Sequence, residues 1–154
     1  MGEVQALLNL QVGQRVKVKG NVDEQGNFNA LEVKVKPGDV DAVMEGRLQG
    51  VDVESNTIRL LGRDITLGPD TVIRSADRRD LDLADLKVGE IVKLKGTYSP
   101  ESGFEVEKVK VQEPKGYYVE ELQGYITAMD AESDVIEVVG MTVKLSTRTE
   151  VEGY

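Results

Sequence analysis

Residues 10–20 read LQVGQRVKVKG, and residues 86–96 read LKVGEIVKLKG. Gly13 falls on Gly89, Gly20 on Gly96 and Phe28 on Phe104, all at an offset of 76. A second match sets VDVESNTIRLLG at 51–62 against MDAESDVIEVVG at 129–140. It carries Asp52, Ser55, Ile58 and Gly62 onto Asp130, Ser133, Ile136 and Gly140 at an offset of 78. A fixed internal period speaks of architecture before it speaks of chemistry. One whole unit occupies 42–112. The stretch before it is the back half of a unit, and the stretch after it is the front half of another. Placing Met1 after Tyr154 would give Thr149–Gly13 the same interval as Thr71–Gly89, so the sequence is expected to count as two periods of 77, one of them cut in the middle.

Alternation sets the local structure. In RVKVKG (15–20), Val16 and Val18 share one face while Arg15, Lys17 and Lys19 share the other. Successive strand residues point to opposite faces, so this reads as a half-buried strand with a basic outer surface. A polar turn at Asp23–Asn27 leads into a returning strand, FNALEVKVK (28–36), and the two make a hairpin. IVKLKG (91–96) and FEVEKVKV (104–111) repeat it around the turn SPESG. The other half-unit opens with a long strand over 42–53 whose Gly46 and Gly50 suggest a bend or bulge. TIRLLG (57–62) and RDITLG (63–68) follow, and 119–145 repeats the pattern. Between half-units, DRRDLDLADLKVG (77–89) predicts a short helix or turn anchored by Leu81, Leu83 and Leu86, with VQALLNLQVG (4–13) as its counterpart. Short helices are thus expected near 3–9 and 79–86.

Three strands, a short helix and a hairpin is the order of an OB-fold, a five-stranded Greek-key barrel. The expected fold is all-β, with two OB-like five-stranded Greek-key barrels. One is contiguous over 42–112. The other is composed of the half-repeats 1–36 plus 119–154. An SH3-like barrel or a sandwich shares this strand order, because order does not fix pairing.

EGRLQGVD, TIRLLGRDITL, the DL-rich stretch and LKVGEIVKLKG together resemble domain-of-unknown-function family 5666. The resemblance implies small OB-like bacterial modules, often repeated and often in exported proteins, hence an extracellular or cell-envelope location. It brings no catalytic residues with it.

Composition narrows the chemistry. Cysteine, histidine and tryptophan are absent. That removes disulfides, thiolate ligands, the usual general base near neutral pH and every Ser-His-Asp arrangement. No apolar run is long enough for a transmembrane helix, and the start has no signal-peptide pattern. Net charge is −9, which disfavours phosphate backbones and anionic membranes. Basic residues cluster at 15–19 and 34–36, and again at 93–95 and 108–110. Such stripes are ordinarily the solvated face of a hairpin. The tyrosines (98, 117, 118, 125 and 154) form no repeated stacking platform, so nucleic acid is not an expected partner. Asp130, Glu132 and Asp134 space like a calcium loop, but short turns favour acids for backbone reasons alone. No catalytic, cofactor or metal residue is assigned, and the protein is read as no enzyme.

The expected function is structural. A half-barrel exposes strand edges and an apolar face that call for the missing half. The assembly interface is assigned to Val16, Val18, Val33 and Val35 against Ile126, Ile136, Val138 and Val143, with Lys17 and Lys19 for steering. The ends of one chain can close on each other, or the C-terminal half of one chain can complete the N-terminal half of the next. The second is favoured here, and it gives a head-to-tail homo-oligomer or filament. The alternative is an OB-type binder of an oligosaccharide, peptide or single strand.

Overall fold

The computed structural model describes residues 10–36, 42–113 and 119–152. These residues are all-β. The strands are β1 (Arg15–Val22), β2 (Phe28–Val35), β3 (Ala42–Arg47), β4 (Gly50–Asp52), β5 (Thr57–Leu60), β6 (Arg63–Thr66) and β7 (Val72–Arg74). They continue with β8 (Ile91–Ser99), β9 (Gly103–Val111), β10 (Glu120–Asp130), β11 (Val135–Val138), β12 (Met141–Lys144) and β13 (Glu150–Glu152). Two-residue turns with positive φ, at Leu61–Gly62 and Val139–Gly140, close the β5–β6 and β11–β12 hairpins.

The strands form one mixed ten-stranded sheet and a separate three-stranded sheet, β4-β5-β6. In the larger sheet β1 pairs antiparallel with both β2 and β10. β2 pairs parallel with β12 and β13, β12 pairs with β11, and β11 with β10. These pairings lead from β1 around to β1 again. β10 also pairs with β3, and the sheet continues through β8 and β9 to β7.

The β3–β10 seam joins the repeats. Met44 pairs with Leu122, with Val43–Gln123 and Glu45–Glu121 to either side. Met44 and Leu122 are also counterparts at the offset of 78. The two first strands therefore pair about a local two-fold centre, as identical subunits do in an isologous dimer. Packing beyond the seam follows the same symmetry. A Cβ at Gly140 would lie 3.1 Å from the Tyr98 ring, and one at Gly62 would lie 3.9 Å from Val22, the counterpart of Tyr98.

Two expectations need correction, and a third falls outside the described residues. The helix near 79–86 is a single 3-10 turn, Leu83–Asp85, because the Asp82 and Asp85 pair caps it and Leu86 is already extended. The helix near 3–9 lies outside the described residues. The long strand over 42–53 is divided into β3 and β4 at Leu48, which is 1% exposed and turns into the core. Leu48 bonds instead to the 89–90 turn, through Leu48 N–H to Glu90 C=O and Gly89 N–H to Leu48 C=O, both 2.8 Å. Its counterpart, Ile126, stays within the unbroken β10, which bulges between Ile126 and Ala128.

Candidate functional site: the junction of the half-repeats

Residues 10–36 and 119–152 meet within one chain. β1 runs along β10 in continuous register from Arg15–Tyr125 to Gly20–Glu120. β2 meets β12 at Phe28–Val143, and β13 at Val151–Val33. Of the assigned interface residues, Val16, Val18, Val33, Ile126, Ile136, Val138 and Val143 are all buried in one core cluster. Val35 is half-buried at its edge. The junction repeats the backbone contacts of the contiguous repeat. Gly13 N–H donates to Ile126 C=O and Ile126 N–H to Gln14 C=O, both at 2.8 Å, as Gly89 and Glu90 do with Leu48.

Two glycines permit the tight crossing. A Cβ at Gly20 would lie 2.0 Å from the Asn29 carbonyl oxygen, and one at Gly96 would lie 1.9 Å from that of Glu105. Each sits where a bulge shifts the hairpin register, between Lys19 and Gly20 and between Lys95 and Gly96. Two threonines, which the sequence reading left without a role, clamp the ends. The Thr149 hydroxyl donates to Ala30 C=O at 2.8 Å and accepts from Ser146 N–H at 2.9 Å. Thr71 does the same in the contiguous repeat, to Val106 C=O at 2.7 Å and from Gly68 N–H at 3.1 Å. The signal was available, since both threonines occupy one repeat position.

Polar contacts align the halves. Lys17 reaches Glu121 at 3.5 Å, and Lys34 reaches Glu152 at 3.5 Å. Lys19 stands across from Glu121 on β10 and Glu32 on β2. Arg15 departs from the expected solvated face. It is 7% exposed, and its guanidinium donates to Lys36 C=O and Gln123 Oε1, both at 3.0 Å. The Glu120 carboxylate accepts from Val22 N–H at 2.8 Å. Burial pushes the Glu120 carboxyl above its ordinary value, and that hydrogen bond partly offsets the push. In the β1–β2 turn, hydrogen bonds from Asn27 N–H and the Asn29 amide hold the Asp23 carboxyl below its ordinary value.

The acidic turns have a backbone role. Asp130 Oδ1 accepts from Glu132 and Ser133 N–H, and Asp52 Oδ1 accepts from Glu54 and Ser55 N–H. Each carboxylate closes its own turn. No helix among the described residues is long and apolar enough to cross a membrane.

The two repeats differ at one closure. β12 pairs with β2, whereas their counterparts β6 and β9 form no ladder. A cleft of about 690 Å³ opens between them, lined by Ile65, Leu67, Tyr98, Phe104 and the Val139–Gly140 turn. Phe28 is fully buried, while its counterpart Phe104 is only partly so.

No curated protein and no solved structure matches the chain. The family model described as domain of unknown function (DUF5666) matches residues 2–34 and 45–106, and the chain belongs to that family.

Proposed function

We propose that the chain is a non-enzymatic structural and assembly module of two OB-like Greek-key barrels. One spans 42–112 and the other is built from 1–36 plus 119–154, with the junction of the half-repeats as the assembly element. One observation carries this: the half-repeats fit each other strand for strand, with their apolar faces in a common core. The closed circuit β10-β11-β12-β2-β1 is what a small five-stranded barrel requires. Nothing in these contacts depends on both halves belonging to the same molecule. Exchange between molecules uses the same pairings and propagates head-to-tail. A short tether gives the internal half an effective concentration on the order of millimolar. The closed monomer therefore dominates in dilute solution, and exchange takes over as concentration rises past that level. The family resemblance supports a cell-envelope or extracellular setting. The second strands of both repeats carry aliphatic rather than stacking side chains, which argues against single-stranded nucleic acid as partner.

Light scattering across a concentration series tests the proposal. The expected mass is 16.9 kDa at micromolar concentration, rising in whole multiples toward millimolar. A single mass throughout the series would limit the junction to closure within one chain. The cleft between β6 and β9 favours a second reading, an OB-type binder of an extended peptide, for which the β6 edge and the part of the β9 edge before Lys108 are open.

A further inference from the structure

The outer face of the β8–β9 hairpin carries four lysines in a grid. Lys93 stands directly across from Lys110, and Lys95 across from Lys108. They surround a small recess of about 140 Å³ together with Gln112. That is roughly ten times the space one water needs. All four are half-buried.

A lysine row on a hairpin is ordinarily solvated, with the stems lying on the sheet and the charges apart. The other repeat shows what this grid lacks. There, Lys17 and Lys34 occupy the positions of Lys93 and Lys110, and both form ion pairs, with Glu121 and with Glu32 and Glu152. The counterparts of those three acids are Val43, Lys108 and Arg74. One acid is thus replaced by an apolar side chain and two by cations. Among the described residues, none of the four lysines of the β8–β9 grid forms an ion pair, and one acid, the buried Glu45 of β3, stands across from Lys93. Arg74, in register beside Lys110, adds a further cation at the rim, where its Nε is ion-paired with Asp80 at 3.6 Å. Like charges directly across a ladder destabilise it. A local conflict of this kind, on a protein of net charge −9, is where a ligand is expected to supply the missing charge.

We infer that the Lys93–Lys95–Lys108–Lys110 recess is a binding site for a compact polyvalent oxyanion of the phosphate or sulfate class. Lysines bind such groups as point charges, and four ammonium groups offer donors to several oxygens at once. The recess is small, which selects a terminal or free anion over a polymer backbone. Its counterpart on β1–β2, where Glu32 stands at the position of Lys108 and Lys17 and Lys34 are ion-paired, does not bind.

The test titrates inorganic pyrophosphate, and in parallel a sulfated disaccharide, into the full chain at low ionic strength. Amide chemical shifts and thermal melting are followed. Saturable shifts confined to 93–96 and 108–112 are expected, with a rise in melting temperature. A preference for one probe assigns the phosphate or the sulfate source. The variant Lys95→Gln/Lys108→Gln should melt higher than the parent without anion and bind at least about tenfold more weakly. Lys34→Gln, on the neutralised grid, should leave binding unchanged. The site is refuted if neither probe binds at millimolar concentration, or if shifts spread over the lysines of both repeats. It is also refuted if the double variant binds as well as the parent, or if an oligonucleotide binds where both small probes fail.

Discussion

Gly20→Ala isolates the closure of the split repeat. Its new Cβ would sit 2.0 Å from the Asn29 carbonyl oxygen, where ordinary contact begins near 3.4 Å. The obstructing atom is backbone, so no side-chain rotation relieves the clash. β1 is held on its other side by β10, with Gly20 opposite Glu120. Either β1 or β2 must therefore move by more than an ångström. Overpacking in a well-fitted core costs about 1–3 kcal/mol, and a backbone obstruction belongs at the upper end or above. For a chain of this length, about 3 kcal/mol lowers the melting temperature by roughly 6–12 °C. Circular dichroism melts give the magnitude, and amide exchange gives the location. Exchange should accelerate in β1, β2 and β10 and stay slow in β8 and β9, while Gly96→Ala reverses the pattern. A Gly20→Ala variant within about 0.5 kcal/mol of the parent, the range of surface changes, would refute the close crossing and the closed junction with it.

Thr149→Val keeps shape but removes the hydroxyl that serves Ala30 C=O and Ser146 N–H, leaving the buried Ala30 carbonyl without its donor. A loss of about 1–3 kcal/mol is expected from the denaturant midpoint, and an unchanged midpoint would remove the clamp from the account. Glu120 makes stability depend on pH. Its carboxyl is raised above the ordinary 4.5 by burial, so ionisation is less favourable in the folded state than in the unfolded. Stability is therefore lost as pH rises from that ordinary value through the raised one, and the loss is constant above it. Glu120→Gln retains an acceptor for Val22 N–H. It should match the parent at pH 4 and melt higher at pH 7, and equal melting at pH 7 would contradict the burial argument.

The repeat and its hairpins were legible because a period of two fixes which face each residue takes. Val16, Val18, Ile136 and Val143 could be assigned inward from spacing alone. Depth was not legible. Arg15 shares a face with Lys17 in the alternation, yet it is covered where β1 passes beneath the Lys36 carbonyl and the Gln123 side chain. Glu45 and Glu121 likewise alternate outward but are buried, since β3 and β10 are flanked by strands on both sides. The seam itself had no local signal. An unpaired strand edge states that it needs a partner and not which one. The open gap between β6 and β9 was equally hidden, since their sequences repeat those of β12 and β2 and only the tertiary pairing differs.

The seam also limits how half-repeats could be traded in the proposed assembly. β10 bonds β1 along one edge and β3 along the other. Moving the whole C-terminal half into a neighbour would strain or transfer the Met44–Leu122 centre as well. Moving only β1 and β2 leaves the centre untouched, because no strand of 10–36 pairs with β3 or β8. The mobile unit in any exchange is then the basic hairpin, and the acceptor is the face formed by β10, β12 and β13. What that hairpin gives up on leaving is the register with β10, the parallel pairs with β12 and β13, and the ion pairs of Lys17 and Lys34. It regains the same set on a neighbour. In the proposed exchange the contacts would cancel between the closed and exchanged states, so tether and concentration would decide the balance.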